Sequence, residues 1–166
     1  MDDHAVLARQ LGRQPRALLR VAVRCPWGAP AVTEQAPYDA DGNPFPTTYW
    51  LTCPHLVAAV SRVEAGGGVE RWGEAAADDP ELRGSLETAT RVQRELRASL
   101  AGGARGSDGG SSLDAGIGGA AQPERLKCLH AHVAWALAQP PYALGEAILR
   151  EAGGPWPLDR CCLDGL

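Results

Sequence analysis

Hydrophobic and polar residues alternate along two stretches of the N-terminal third, and this alternation predicts β-strands. From Leu19 to Cys25 every second residue is apolar, and residues 45–53 repeat the pattern with β-branched and aromatic side chains. A less regular stretch, residues 31–36, lies between them after a turn rich in proline and glycine. We therefore predict a hairpin within a small, mainly antiparallel sheet of two or three strands.

Apolar residues at helical spacing predict helices in the rest of the chain. Pro54 and Pro80 suit the first turn of a helix, and Cys53 and Asp79 precede them as N-caps. The predicted helices cover residues 2–11, 54 to the glycines at 66–68, 79–100, 127–139 and about 144–151. With three or four helices packed on the sheet, the predicted fold class is α+β.

The remaining stretches have the composition of connecting segments. Residues 101–123 are rich in glycine, serine and alanine, which is typical of a flexible linker, here before the C-terminal helices. Their glycines do not have the spacing of a phosphate-binding loop. Residues 153–166 are expected to form an irregular tail. The length of 166 residues suits a single domain, 1–166.

Composition and charge restrict the class of partner. A net charge of −4 creates no general attraction to nucleic acid or to an anionic membrane. We find neither an N-terminal apolar signal nor a run of about 18 apolar residues that could cross a bilayer. The sequence therefore predicts a cytoplasmic protein that binds neither nucleic acid nor membrane.

Cysteine usage suggests chemistry other than disulfide bonding. The five cysteines are Cys25, Cys53, Cys128, Cys161 and Cys162. An odd number in a reducing compartment disfavours a disulfide framework and leaves metal binding, catalysis or simple burial.

Three short segments concentrate cysteine and histidine, namely Cys-Pro at 25–26, Cys-Pro-His at 53–55 and Cys-Leu-His-Ala-His at 128–132. Two of these cysteines end predicted strands, and two begin predicted helices, whose N-termini favour thiolates. We predict a metal site from the set Cys25, Cys53, Cys128, His130 and His132, in which either of the last two histidines completes a Cys₃His set. Zinc is the expected metal; the alternative is an iron–sulfur cluster that also uses Cys161 or Cys162. Whether His55 joins the site is left open.

Two other functions remain open at this point. Cys128 could be a nucleophile with His130 or His132 as its base, or an open metal site could activate water for hydrolysis, with His132 or His55 as acid and base. In a metal-free structural or scaffold protein, the cysteines would instead be small core residues. The metal-binding prediction therefore implies a structural or interaction role unless one coordination position is open.

Three segments carry a family resemblance: LGRQPRALLRVAVRCPWGAP, PYDADGNPFPTTYWLTCPHLVAAVSRVEAGG and KCLHAHVAWALAQPPYALGEAIL. From about residue 7 to 146 the chain resembles an uncharacterised bacterial family, prominent in actinobacteria, that is catalogued as domain of unknown function 501. The resemblance implies a shared fold and draws attention to Cys25, Cys53, Cys128 and His130, without implying a reaction. Relatives tend to be encoded near a septum formation initiator protein and an exopolyphosphatase. This association implies a protein partner related to cell division, with no site assigned.

Overall fold

Three strands form an antiparallel sheet in the computed structural model, which describes residues 1–157 and 159–165. The strands are β1 (Leu18–Arg24), β2 (Pro30–Gln35) and β3 (Tyr49–Leu51), in the order β1-β2-β3. β1 and β2 form the predicted hairpin. The predicted antiparallel sheet is thus confirmed.

The central strand β2 is buried along its whole length, because it has a neighbour on each side and helices over it. Its pairing with β3 continues past the ends of that strand through two hydrogen bonds, from Gln35 N to the Thr48 carbonyl (2.8 Å) and from Thr52 N to the Ala31 carbonyl (2.9 Å). β3 itself is shorter than the predicted 45–53. The stretch before it contains Pro46, which has no N–H to donate to a strand ladder.

The outer strand β1 is irregular. Its pairing with β2 shifts register at three places, one of them between Leu18 and Arg20. Such bulges turn side chains away from strict alternation. Leu19, which the pattern predicts to be buried, is accordingly 49% exposed.

Six helices accompany the sheet, so the α+β class is confirmed; the sequence predicts five helical segments, with three or four of them packed on the sheet. They are α1 (Asp3–Leu11), α2 (Pro54–Ala65), α3 (Gly68–Asp78), α4 (Pro80–Ala101), α5 (Leu129–Ala138) and α6 (Ala143–Glu151). Among the described residues, none of these helices is both long enough and apolar enough to cross a membrane.

Helix α5 lies at the centre of the core. Seven of its ten residues are buried, and it packs against the sheet, mainly β3, as well as against α2 and α6. A helix that is apolar on nearly all sides is stable only when it is surrounded in this way. The position of α5 therefore fixes Cys128, which immediately precedes it, relative to α2.

Residues 101–123 contain two short 3₁₀ turns, Ser111–Asp114 and Ile117–Gly119. Tyr38 donates its hydroxyl proton to Asp108 (2.9 Å between oxygens), Gln93 donates to the Gly116 carbonyl (2.8 Å), and Ile117 is buried. The segment thus has specific contacts with the rest of the protein. Its mobility in solution stays a prediction.

Candidate metal centre

Helix α2 separates the predicted ligands into two groups. Cys53 is its N-cap, and Glu64 lies in its last turn. With a rise of about 1.5 Å per residue, these two positions are about 16 Å apart along the helix axis. Groups at the two ends of α2 therefore cannot bind the same ion.

At the C-terminal end of α2, Glu64 meets the beginning of α5. Cys128 is the N-cap of α5, but its side chain makes no capping hydrogen bond. Instead, the Glu64 carboxylate accepts from the backbone N–H of Leu129, with 2.6 Å between Oε1 and N. A carboxylate is favourable there because the first N–H groups of a helix have no partner within the helix.

His130 completes the group from the first turn of α5. Its Nδ1 lies 3.2 Å from Glu64 Oε1, and its Nε2 lies 3.2 Å from the Val57 carbonyl and 3.1 Å from Ser61 Oγ. One potential ligand atom from each of Glu64, Cys128 and His130 lies within 4.8 Å of the other two. In the part of the chain that the structure describes, no other three Cys, His, Asp or Glu side chains converge this closely.

The surroundings of His130 favour its protonated form. A hydrogen bond with Cys128 raises the pKa of His130, as do the negative charge of Glu64 and the Val57 carbonyl, whereas partial burial opposes them. The side chains of His130 and Glu64 are 22% and 25% exposed, so the group is within reach of solvent. Without a metal, the site can therefore hold a proton on its imidazole.

The site borders a cleft of about 1430 Å³. Glu64 and Leu126 belong to its wall, which also contains residues of α3 and α4. Apolar groups such as Val69 and Leu86 line part of it, with glutamate and arginine side chains around them. Pockets with this mixture of apolar walls and a few polar groups are the usual location of small-molecule sites.

The structure brings Cys128 and His130 together but places the other three predicted ligands elsewhere. Cys25 and Cys53 lie at the opposite end of α2, where Cys25 Sγ is 3.8 Å from Cys161 Sγ. His132 is buried in α5, and its Nδ1 is 2.7 Å from the Tyr142 hydroxyl. His55 Nε2 is buried without a hydrogen-bond partner.

Glu64 is the residue that sequence reasoning missed. It lies 64 positions before Cys128, in the last turn of a helix, and nothing in its local sequence distinguishes it from other helical glutamates. Only the tertiary contact between α2 and α5 reveals it.

The three side chains offer a thiolate sulfur, an imidazole nitrogen and a carboxylate oxygen. All three are ligands of Zn²⁺ in proteins, and a mixed set of this kind suits borderline cations. The arrangement is compatible with metal binding at a position where a fourth ligand could be water.

Comparison with known proteins identifies a family for this chain, but it finds no match among curated proteins or solved structures. The family model DUF501, described as a protein of unknown function, matches residues 21–150, which include Cys25, Cys53, Glu64, Cys128 and His130. This match confirms the resemblance noted in the sequence: the chain belongs to the DUF501 family.

Proposed function

We propose that the protein binds a divalent metal ion, with zinc as the expected ion, through Cys128, His130 and Glu64. The observation that carries this proposal is the convergence of their ligand atoms within 4.8 Å. The second nitrogen of His130 adds support, because it faces the Val57 carbonyl at 3.2 Å. A histidine that binds metal through one ring nitrogen usually donates the other N–H to a carbonyl or carboxylate.

The distances suit a zinc ion. Zinc–nitrogen and zinc–oxygen bonds of about 2.0–2.2 Å in a tetrahedron bring the two ligand atoms to about 3.3–3.6 Å from each other. His130 Nδ1 and Glu64 Oε1 are 3.2 Å apart. Only a small adjustment of side chains would be needed.

The number of protein ligands bears on the role of the ion. Structural zinc sites usually have four protein ligands, whereas catalytic sites have three and a water molecule. Glu64 lines the cleft, so a substrate in the cleft would lie close to the ion. These features support a hydrolytic role over a purely structural one.

Histidine ¹⁵N NMR during zinc titration tests the proposal. We expect the His130 ring nitrogens to shift, with Nδ1 moving most, and His4 to stay unchanged. Cys128→Ser and Glu64→Gln should each weaken zinc binding by about tenfold or more. Glu74→Gln, an exposed glutamate of the same cleft, is the matched control and should bind normally. Unchanged His130 signals at saturating zinc would refute the proposal.

A second candidate is a metal-free thiol enzyme. Cys128 lies at a helix N-terminus beside His130, whose raised pKa suits a base that accepts a proton and whose Nδ1 contacts Glu64 as an orienting group. For this candidate, His130→Gln should slow iodoacetamide alkylation of Cys128 by about tenfold at neutral pH, and zinc should give no protection. Protection by zinc would favour the metal site instead.

The proposal also includes the cellular location of the protein and its protein partner. We propose a cytoplasmic location, because an odd number of cysteines, five, argues against the disulfide framework of an oxidising compartment. A protein partner related to cell division stays a prediction.

A further inference from the structure

Two buried cysteines from distant parts of the sequence are neighbours in the structure. Cys25 directly follows β1, and Cys161 lies beyond α6, 136 positions later in the sequence. Their Sγ atoms are 3.8 Å apart, and the two residues are only 7% and 6% exposed. Both thiols are free, and neither belongs to the candidate metal site. The two sulfur atoms thus face each other in the interior of the protein.

The backbone holds Cys25 in a fixed position. Its N–H donates to the Ala29 carbonyl (2.9 Å), and its own carbonyl accepts from the N–H of Gly28 (2.9 Å). These two bonds close the turn between β1 and β2. The Cys25 thiol is therefore attached to a well-defined part of the sheet.

Specific contacts also bring the segment of Cys161 to the sheet. The side-chain amide of Gln10 donates both to the Pro30 carbonyl at the start of β2 (2.8 Å) and to Cys162 Sγ (3.4 Å). The N–H of Cys161 donates to Asp164 Oδ2 (3.1 Å), which fixes the turn that follows. The two thiols are thus held together by contacts on either side of them.

Cys161 has the features of the thiol that reacts first. The backbone N–H of Leu163 donates to Cys161 Sγ (3.5 Å), and such a donor stabilises negative charge on the sulfur. Cys161 belongs to no helix or strand, and the two residues before it, Asp159 and Arg160, are exposed. Local opening of an irregular stretch costs less free energy than opening of the core. A small oxidant can therefore reach Cys161 more easily than Cys25.

We propose that Cys25 and Cys161 form a disulfide bond when the protein meets a peroxide, and that this reversible bond fastens the C-terminal segment to the end of β1. A disulfide has a sulfur–sulfur distance of about 2.0 Å, so the two sulfur atoms must approach each other by about 1.8 Å. In a reducing compartment, bonds of this kind are transient and report oxidation.

The reaction takes place in two steps. The Cys161 thiolate attacks hydrogen peroxide; the O–O bond breaks, a sulfenic acid forms, and the departing hydroxide takes up the proton that the thiol released. The Cys25 thiol then attacks the sulfenic sulfur, and the S–O bond breaks as water leaves with the thiol proton. In sum, two thiols and one peroxide give one disulfide and two water molecules. A thiol reductant reverses the change by exchange.

The bond would join the tail to the shared part of the fold. Cys161 lies outside residues 21–150, which the family model matches, so the inference concerns this particular chain. A link between residues so far apart in the sequence strongly restricts the unfolded chain. The oxidised protein should therefore melt about 5–10 °C above the reduced protein, and dithiothreitol should abolish the difference.

Peptide mapping of the full-length protein tests the pair. The reduced protein is treated with an equimolar amount of hydrogen peroxide, the remaining thiols are blocked with N-ethylmaleimide, and the product is digested without reductant. Trypsin with a glutamate-specific protease separates Cys25, in residues 25–34, from Cys53 and releases residues 161–166. We expect these two peptides, linked to each other, as the main disulfide product.

Single variants identify the cysteine of the tail that takes part. Cys162→Ser keeps a small acceptor for Gln10 and should still form the bond, whereas Cys161→Ser should reduce the linkage of the two peptides by about tenfold or more. Cys128→Ser should behave as the wild type, because its thiol lies in the other site. Circular dichroism before oxidation checks that the variants fold. The wild-type peptide map decides the question even where a variant does not fold.

Oxidation in concentrated urea shows how the cysteines pair in an unfolded chain. If residues 25–34 and 161–166 are linked no more often in the native protein than in urea, the inference is overturned. Linkage that is equally frequent in Cys161→Ser also overturns it, because the bond would then belong to Cys162.

Discussion

His130 and His132 are two residues apart in α5, yet their environments shift their pKa values in opposite directions. His132 is 1% exposed, and burial lowers its pKa to about 4. Its Nδ1 hydrogen-bonds with the Tyr142 hydroxyl, and its Nε2 has no partner. The Cys128 hydrogen bond and Glu64 raise the pKa of His130. At neutral pH, His132 is therefore an uncharged core residue, while His130 is available for proton or metal chemistry.

The lowered pKa of His132 predicts a loss of stability in acid. The unfolded chain binds this proton near pH 6.5, whereas the folded chain binds it only near pH 4. The stabilisation from His132 is therefore complete above pH 6.5 and is lost as the pH falls towards 4. The loss should reach about 3 kcal/mol.

Urea unfolding of the apo protein between pH 7 and 4 measures this effect against His132→Gln, which cannot bind the proton. We expect the difference between the two free energies of unfolding to shrink as the pH falls. His130 has the opposite dependence but is present in both proteins, so its contribution cancels. A difference that stays constant with pH would show that His132 does not titrate as described.

Helices α5 and α6 approach each other closely at Gly145. A Cβ atom at this position would overlap the His132 carbonyl oxygen and would lie 2.6 Å from Tyr142 Cδ1 and 2.8 Å from Ala136 Cβ. The absence of a side chain thus permits the contact that holds the His132–Tyr142 pair in place.

Gly145 has close neighbours, whereas Gly84 has open space around it. We therefore expect Gly→Ala substitutions at these two helical positions to have opposite effects on the free energy of unfolding. Gly145→Ala should lower the free energy of unfolding by about 1–3 kcal/mol, because the backbones must separate. Gly84→Ala in α4 has open space around its Cβ and should raise it by about 0.5–1 kcal/mol through helix propensity. Thermal unfolding of both variants tests the pair; stabilisation by Gly145→Ala would contradict the described packing.

Helices and strands whose ends are marked by particular residues in the local sequence could be predicted. Those without such residues could not. The Asp79-Pro80 pair correctly marked the start of α4, where Asp79 accepts from the backbone N–H groups of Glu81 and Leu82. Helix α3 was missed because the glycines at 66–68 suggest an ending, whereas the chain turns at Gly67 (φ 80°) and resumes a helix at Gly68. The register shifts of β1 also have no local signature.

On the scale of the whole molecule, residues 101–123 lie against the body of the protein through Tyr38. The Tyr38 hydroxyl bonds to Asp108, and its ring packs so closely on Gly106 that a Cβ there would overlap it. These contacts predict that the segment opens only occasionally, in contrast to the free linker expected from its composition.

Limited trypsin digestion can decide between these expectations, because Arg105 is exposed within the segment. In the wild type we expect slow cleavage after Arg105. Tyr38→Ala should accelerate it by about fivefold or more, since a hydrogen bond and ring packing are lost, and Tyr38→Phe should have a smaller effect. Fast cleavage that is equal in all three proteins would indicate a free linker.

The candidate site shows the same division between local and long-range information. The Cys-Leu-His spacing drew attention to Cys128 and His130, and the structure places both at the start of one helix. Glu64 enters the site through the packing of α2 on α5. Likewise, Cys161 approaches Cys25 only through the path of the tail, which no local pattern describes.

The irregularity of β1 has a consequence for the behaviour of the protein at high concentration. A three-stranded sheet has two open edges, and a flat open edge can pair with a strand of another molecule and start aggregation. Here one edge is the bulged β1, where Arg20 and Arg24 form ion pairs with Glu34 and Asp3. The other edge is β3, which has only three residues. Neither edge offers a long regular ladder, so the fold itself protects the protein against edge-to-edge aggregation.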